Sequence, residues 1–314
     1  MKWLLKVFFR ILLFVFILLN IITAFHAYKF THFYDAGEIA AKTKADKSGL
    51  EVTKEILFGF NAIKRPNDPV SDSALQTMYF TTKDNIKIES WYIPAPGVVK
   101  GTVILFHGHG STKSAVVNEA AAFRKMGYHS LLVDFRAHGG SGGNTCTIGY
   151  YEGEEVNLAY DYISKKGEKN ILLWGISMGA AAITRAMDVY DLHPTKIILE
   201  MPFGSILDAA KGRIKIMGLP PQPLASMVTF WGGVEHGFWA FQMKPAEYAK
   251  KIKVPVLLQW GKNDPRVAQS ETNLIYSNLA GEKKLVVYEN SAHESLCRKE
   301  NAKWLSEIQH FLFN

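Results

Sequence analysis

Hydrophobic and polar residues alternate along this chain in three different ways. Residues 11–25 read ILLFVFILLNIITAF, with no charged side chain and only Asn20 and Thr23 polar. Continued to Phe30, the run holds about twenty residues, which as a helix rising ~1.5 Å per residue spans roughly 30 Å, the depth of a bilayer's hydrocarbon. It lacks the polar face a core helix would show. Lys2, Lys6 and Arg10 recur every fourth residue and form one stripe, from which long stems can carry charge to lipid headgroups. The positive-inside tendency then sets the N-terminus in the cytoplasm and everything after Phe30 on the opposite, extracytoplasmic side. A cleaved signal peptide shares this order, but Ile22-Thr23-Ala24 and Phe25-His26-Ala27 are poor small-x-small sites. The pattern predicts a single-pass anchor over residues 1–30.

Residues 31–70 are mixed and charged and end in Arg65-Pro66-Asn67-Asp68-Pro69. They predict a connector with a short helix around 36–44. From residue 71 to 314 the pattern changes again. Runs at 76–82 and 86–93 flank Lys83-Asp84-Asn85 as a hairpin would. Short, continuously apolar runs follow at 102–106, 130–134, 170–174, 196–200, 255–259 and 284–288, separated by turns and by amphipathic stretches such as 115–125 and 156–165. Strands that are apolar on both faces belong in a parallel sheet covered by helices. The class is therefore α/β, with a mostly parallel, doubly wound sheet. About fifty residues intervene between the runs ending near Glu200 and starting at Val254. They include Pro220-Pro221-Gln222-Pro223 and the aromatics Phe230, Trp231, Phe238, Trp239 and Phe241. So long a stretch predicts a small layer of its own, a cap-like insertion over 203–250.

Composition narrows the classes further. With 48% hydrophobic and 21% charged residues in 314, the chain is an ordinary globular protein rather than a disordered one. Its net charge of +7 is concentrated early: the first fifty residues carry seven Lys/Arg against Asp35, Glu38 and Asp46. A basic end beside an apolar run suits anionic lipid. No basic stripe interleaved with aromatics and no zinc-type spacing points to nucleic acid. Two cysteines, Cys146 and Cys297, are too few for a disulfide scaffold, and whether they pair is left open.

The chemistry concentrates in a few segments. Gly175-Ile176-Ser177-Met178-Gly179 directly follows an apolar run and opens a small-residue helix. A sharp strand-to-helix turn needs glycines where backbone crowds in, and it lifts the serine hydroxyl clear of the sheet. His107-Gly108-His109-Gly110 follows the 102–106 strand. A backbone N–H from this turn, that of His109, would join the N–H of Met178 to hold an oxyanion. A His-x-His metal site would need a third ligand cluster, and the stretch 108–114 lacks the Gly-Lys-Ser/Thr ending of a phosphate loop. A serine hydroxyl is a poor nucleophile without a base. His293 follows the last strand and is the expected base; His138, upstream of Ser177 in a Gly-rich turn, is the rival. Asp264, in Trp260-Gly261-Lys262-Asn263-Asp264, would orient the imidazole, with Glu200 as the alternative acid.

These pieces, in this order, resemble the α/β-hydrolase superfamily, within it the dienelactone-hydrolase and serine-aminopeptidase-like branch, many of whose members carry an N-terminal membrane anchor. The likeness rests on 107–110, 134–143, 147–152, 175–179, 254–267 and 291–294. It implies an α/β-hydrolase fold and a catalytic triad of Ser177, Asp264 and His293, with no metal or organic cofactor. It departs at His109, whose side chain would line an acyl pocket. The expected activity is carboxylic-ester hydrolysis through an acyl-serine. Acyl transfer, peptidase or amidase chemistry, and a non-catalytic receptor-like module are the alternatives. The expected substrate is a small-molecule ester, lipid-like in view of the anchor and the aromatic insertion.

Overall fold

The protein is described from a computed structural model, which covers residues 1–35, 37–38 and 47–314. The helix expected around 36–44 lies almost wholly outside the described residues. The chain begins with α1 (Lys2–Thr31), β1 (Phe33–Tyr34), α2 (Gly49–Phe58) and β2 (Ala62–Ile63). There follow β3 (Gln76–Thr81), β4 (Lys87–Ile93), β5 (Gly101–Phe106), α3 (Val117–Lys125), β6 (Tyr128–Val133), α4 (Glu152–Lys165), β7 (Ile171–Ile176), α5 (Met178–Val189) and β8 (Lys196–Glu200). After β8 come α6 (Ile206–Ile216), α7 (Leu224–His236) and α8 (Pro245–Tyr248). The chain closes with β9 (Val256–Gly261), α9 (Gln269–Asn278), β10 (Lys283–Tyr288), α10 (Leu296–Lys299) and α11 (Asn301–Phe313).

The main sheet has eight strands in the order β10-β9-β8-β7-β5-β6-β4-β3, parallel except for β4, which is antiparallel to both β3 and β6. The apolar runs account for this. Every side chain of β5 and of β9 is buried, as strands covered on both faces require. The order reverses at β5, which lies between β6 and β7. In open α/β sheets the crevice beyond the strands' carboxyl ends at such a reversal is where ligands bind.

The first seventy residues are less separate from this body than their sequence suggests. β1 and β2 pair in parallel, and Ser48 caps α2 reciprocally with Glu51, so the connector is locally folded. Asn67 reaches into the domain and donates to Asp134 at 2.7 Å. α1 is long and apolar enough to cross a membrane. Its first half is bare, but its second half packs along α7 and buries Thr23, Ala27 and Thr31. The two polar residues of the apolar run have inward tasks. The Asn20 amide donates to the Phe16 carbonyl at 2.8 Å and accepts the Trp231 indole N–H at 3.1 Å, while the Thr23 hydroxyl donates to the Leu19 carbonyl.

Candidate active site

β7 delivers Ser177 on a sharp elbow. Its φ of 55° and ψ of −115° are unfavourable for any residue but glycine and cost roughly 1–3 kcal/mol. Tight packing holds the turn. A Cβ on Gly179 would lie 2.3 Å from the Phe106 carbonyl oxygen, and one on Gly175 would lie 2.6 Å from the Gly179 backbone. Only glycine lets α5 start this close to β5. The Ser177 N–H donates to the Glu200 carbonyl at 2.8 Å, which ties the elbow to β8.

The loop after β10 brings His293 to Ser177. The Ser177 Oγ to His293 Nε2 distance is 2.9 Å, and His293 Nδ1 lies 2.7 Å from Asp264 Oδ2. The Asp264 side chain is fully shielded from solvent. Its other oxygen accepts the Arg266 and Val267 amides at 2.7 and 3.0 Å, so both lone-pair faces of the carboxylate are used. With the carboxylate at Nδ1, the favoured tautomer carries its proton there and leaves Nε2 free to accept from the serine.

The turn after β5 closes the other side. A Cβ on Gly108 would touch that of Ser177 at 3.5 Å. Among the described residues neither the His109 nor the Met178 amide has a protein acceptor. Met178 is the first residue of α5, where amides are free and the helix dipole favours negative charge. The His109 imidazole is directed at the end of α1. It sits against Phe30 and Phe33, with Nε2 3.0 Å from the Phe30 carbonyl. Burial, then the Arg213 charge, push it down to about 3, so it is neutral and donates to that carbonyl.

The rival residues have other tasks. His138 is buried. Its Nδ1 donates to the Arg136 carbonyl at 2.7 Å and its Nε2 accepts the Gly110 amide at 2.9 Å, which braces the turn that carries His109. His107 is equally buried, with Nε2 accepting from the Phe135 amide. Glu200 lies under the sheet edge, where a single oxygen accepts the indole N–H groups of Trp174 and Trp304 and the Gln259 amide. Lys113, the lysine of the phosphate-loop lookalike, is fully buried between Asp134 at 2.5 Å and Glu89 at 2.7 Å. Both cysteines are free and buried, and the Cys146 Sγ touches the Met178 Sδ at 3.4 Å.

Two further features have no counterpart in the sequence reading. His32, Glu235 and His236, at the adjoining ends of α1 and α7, bring their donor atoms within 4.8 Å of one another and could hold a metal ion. They do not touch the Ser177–His293–Asp264 relay. A largely apolar cavity of about 180 Å³ lies between α1, α2, α6 and α7. It exceeds the ~150 Å³ that accommodates benzene in an engineered core. It meets the turn after β5 through Phe30, which lines the cavity and whose carbonyl accepts from His109. Neither feature has a local signal, because each is assembled from segments some 200 residues apart.

Residues 97–229 match the family model described as Serine aminopeptidase, S33. Protein YqkD of Bacillus subtilis is 28% identical over 231 residues, covering 71% of this chain and 74% of that protein. The lysophosphatidylserine lipase ABHD12 of Xenopus tropicalis is 24% identical over 188 residues, 56% of this chain and 46% of its own length. Among solved structures, the Pyrococcus furiosus esterase PF2001 superposes with a TM-score of 0.66 at 24% identity, covering 81% of this chain and 98% of that one. The Exiguobacterium antarcticum esterase EaEST does so with a TM-score of 0.59 at 18% identity, over 76% of this chain and all of its own. With this strand order and these neighbours, the chain has the α/β-hydrolase fold, and over residues 97–229 it is similar to serine-hydrolase-type, esterase-like enzymes.

Proposed function

We propose that the protein hydrolyses carboxylic esters through an acyl-Ser177 intermediate. The observation that carries this is the unbroken relay from the Ser177 hydroxyl through both nitrogens of His293 to the buried Asp264 carboxylate. His293 Nε2 takes the Ser177 proton as Oγ bonds to the ester carbon. The His109 and Met178 amides receive the oxyanion, and the C–O bond to the alcohol breaks as Nε2 returns the proton to the leaving oxygen. Water then repeats the cycle: its proton goes to Nε2, its oxygen bonds to the acyl carbon, and the Ser177–acyl bond breaks with the proton going back to Oγ. Asp264 stays ionised and stabilises the imidazolium. Two oxyanion donors are worth about 3–4 kcal/mol each in such sites.

The cavity beside the oxyanion turn supports an ester with an extended apolar chain. α1 supports a membrane-anchored enzyme, with Lys2, Lys6 and Arg10 on the cytoplasmic side and the hydrolase domain on the other. The helices between β8 and β9 act as the cap over the site.

A fluorophosphonate probe tests the mechanism. The wild-type protein is expected to be labelled and Ser177→Ala not. Ester turnover should fall about 10⁶-fold in Ser177→Ala and about 10⁴-fold in Asp264→Asn. Near-normal hydrolysis by either variant would refute the assignment. Across a series of acyl lengths, rates should rise beyond acetyl; a sharp optimum at acetyl would rule out the extended chain.

A further inference from the structure

Arg213, in the last turn of α6, lines the apolar cavity. Its guanidinium carbon sits 4.2 Å from the Phe30 ring centroid and 5.0 Å from that of Phe60. The rings attract the cation but leave its N–H donors without acceptors of their own. Among the described residues, no carboxylate lies within ion-pair distance of Arg213 and no side-chain hydrogen bond engages it. The other charged groups of the cavity are accounted for. Glu55 is paired with Lys47 at 2.7 Å, and Lys29 bonds the Tyr34 hydroxyl and Asn61. The nearest acid on α6, Asp208, is taken by Lys211 at 2.9 Å.

The neighbour of Arg213 is a second cation. The carbonyl of Arg266 packs directly on Gly212, where a Cβ would lie 2.2 Å from it, and the Arg266 side chain is exposed and likewise unpaired among the described residues. Burial and the Arg266 charge push Arg213 down to about 10, which still leaves it cationic at neutral pH. A half-buried arginine beside another, with no acid among the described residues to pair with it, leaves local positive charge that an anion would offset. The Arg213 nitrogens are not among the fully buried polar atoms that lack a partner, so an anion entering the cavity can reach them. Arginine's planar fork suits a carboxylate or phosphate, which it can hold through two parallel hydrogen bonds.

The site is close to the chemistry. Arg213 stacks on Phe30, and the Phe30 ring is 4.4 Å from that of His109. Gly108, the next residue back, abuts Ser177. Only the Phe30 and His109 side chains stand between the Arg213 guanidinium and the turn that abuts Ser177. We infer that Arg213, assisted by Arg266, is a specificity-determining anion site, and that the preferred substrate is a single-chain amphiphilic ester bearing an anionic group such as a phosphate.

This rests on the acyl-serine reading, and the test separates the two. Full-length protein in detergent is given three octanoyl esters below their micellar concentrations: 1-acylglycerol, its 3-phosphate and its zwitterionic 3-phosphocholine. The comparison of anion with zwitterion isolates net charge from bulk. The wild type is expected to favour the 3-phosphate over 1-acylglycerol at least tenfold in kcat/KM, with most of the difference in KM. Arg213→Gln should collapse that ratio to within about twofold of one, Arg213→Lys should restore part of it, and Arg266→Gln should lower it less. The ratio is measured within each preparation, so partial misfolding does not imitate the effect. Millimolar inorganic phosphate should compete with the 3-phosphate ester more strongly than with the neutral one. Hydrolysis of all three esters at similar rates, or a ratio that Arg213→Gln leaves intact, would overturn the anion site while leaving the serine mechanism standing. Failure of every ester together with failure of fluorophosphonate labelling would overturn both.

Discussion

At the scale of single residues, position in the sheet separates groups that would do chemistry from groups that hold the sheet together. Asp264 and Glu200 both end parallel strands or follow them, and both are shielded. Asp264 faces an imidazole and two amides, whereas Glu200 faces two indoles and an amide under the sheet edge. Burial pushes the Glu200 carboxyl up to about 8 against the pull of its donors. Its folded pKa thus exceeds its unfolded one, so the native state holds a proton that the unfolded chain has lost. Stability from this group is complete below about pH 4.3 and declines as pH rises toward 8. Glu200→Gln removes the titration while keeping an acceptor oxygen. Whatever its offset at pH 5, the variant's melting temperature should fall less than that of the wild type between pH 5 and 8. Parallel profiles from calorimetry would show that Glu200 does not titrate in this window. None of this was legible in sequence. The residue reads as the end of a strand, and its partners Trp174 and Trp304 lie 26 and 104 positions away.

At the scale of elements, what the sequence disclosed tracks how local the cause is. The runs that became β5, β7, β8 and β9 were legible because strands buried on both faces are apolar at most positions. The elbow was legible because its glycines are adjacent to the serine they serve. α2 was missed in a connector whose short helix was expected earlier, around 36–44, although Ser48-Gly49-Leu50-Glu51 carries the pattern of a capping box. α6 and α7 were expected only together, as a cap-like insertion over 203–250, since their apolar residues face α1 and the cavity and leave no clean period. The elbow also sets a limit. A methyl at Gly179 would drive α5 away from the Phe106 carbonyl, and backbone cannot yield as a flexible side chain would. Gly179→Ala is expected to cost about 3 kcal/mol of stability and to abolish fluorophosphonate labelling, because the Met178 amide moves with the helix. A variant that kept both its urea midpoint and its labelling rate would mean that the turn tolerates what these distances forbid.

For the whole molecule, the length of α1 and its packing are at odds with a simple tether. Arg10 marks the charged end of the apolar run, and the Asn20 side chain is already bonded to Trp231 of α7. Ten residues of helix between them span about 15 Å, half of the ~30 Å hydrocarbon layer. If α1 crosses the bilayer as proposed, the other half must be met by helix that already carries protein on one side. The cap helices are dressed for that position. Phe230, Val234 and Trp239 are 40%, 54% and 55% exposed, and Met217 and Leu219 beside them are similarly bare. Such a patch is costly in water and unremarkable in lipid. The cap would then sink into the outer leaflet, with the cavity that α1 shares with α6 and α7 opening at the depth of the acyl chains. A depth measurement decides this. Cys146 and Cys297 are buried, so a nitroxide attached to Trp239→Cys of the full chain in liposomes reports that site alone. It should be relaxed strongly by oxygen and weakly by aqueous nickel chelate, while a label at the exposed Lys262 shows the reverse. Equal nickel accessibility at both positions would place the cap in water and leave α1 as no more than a leash.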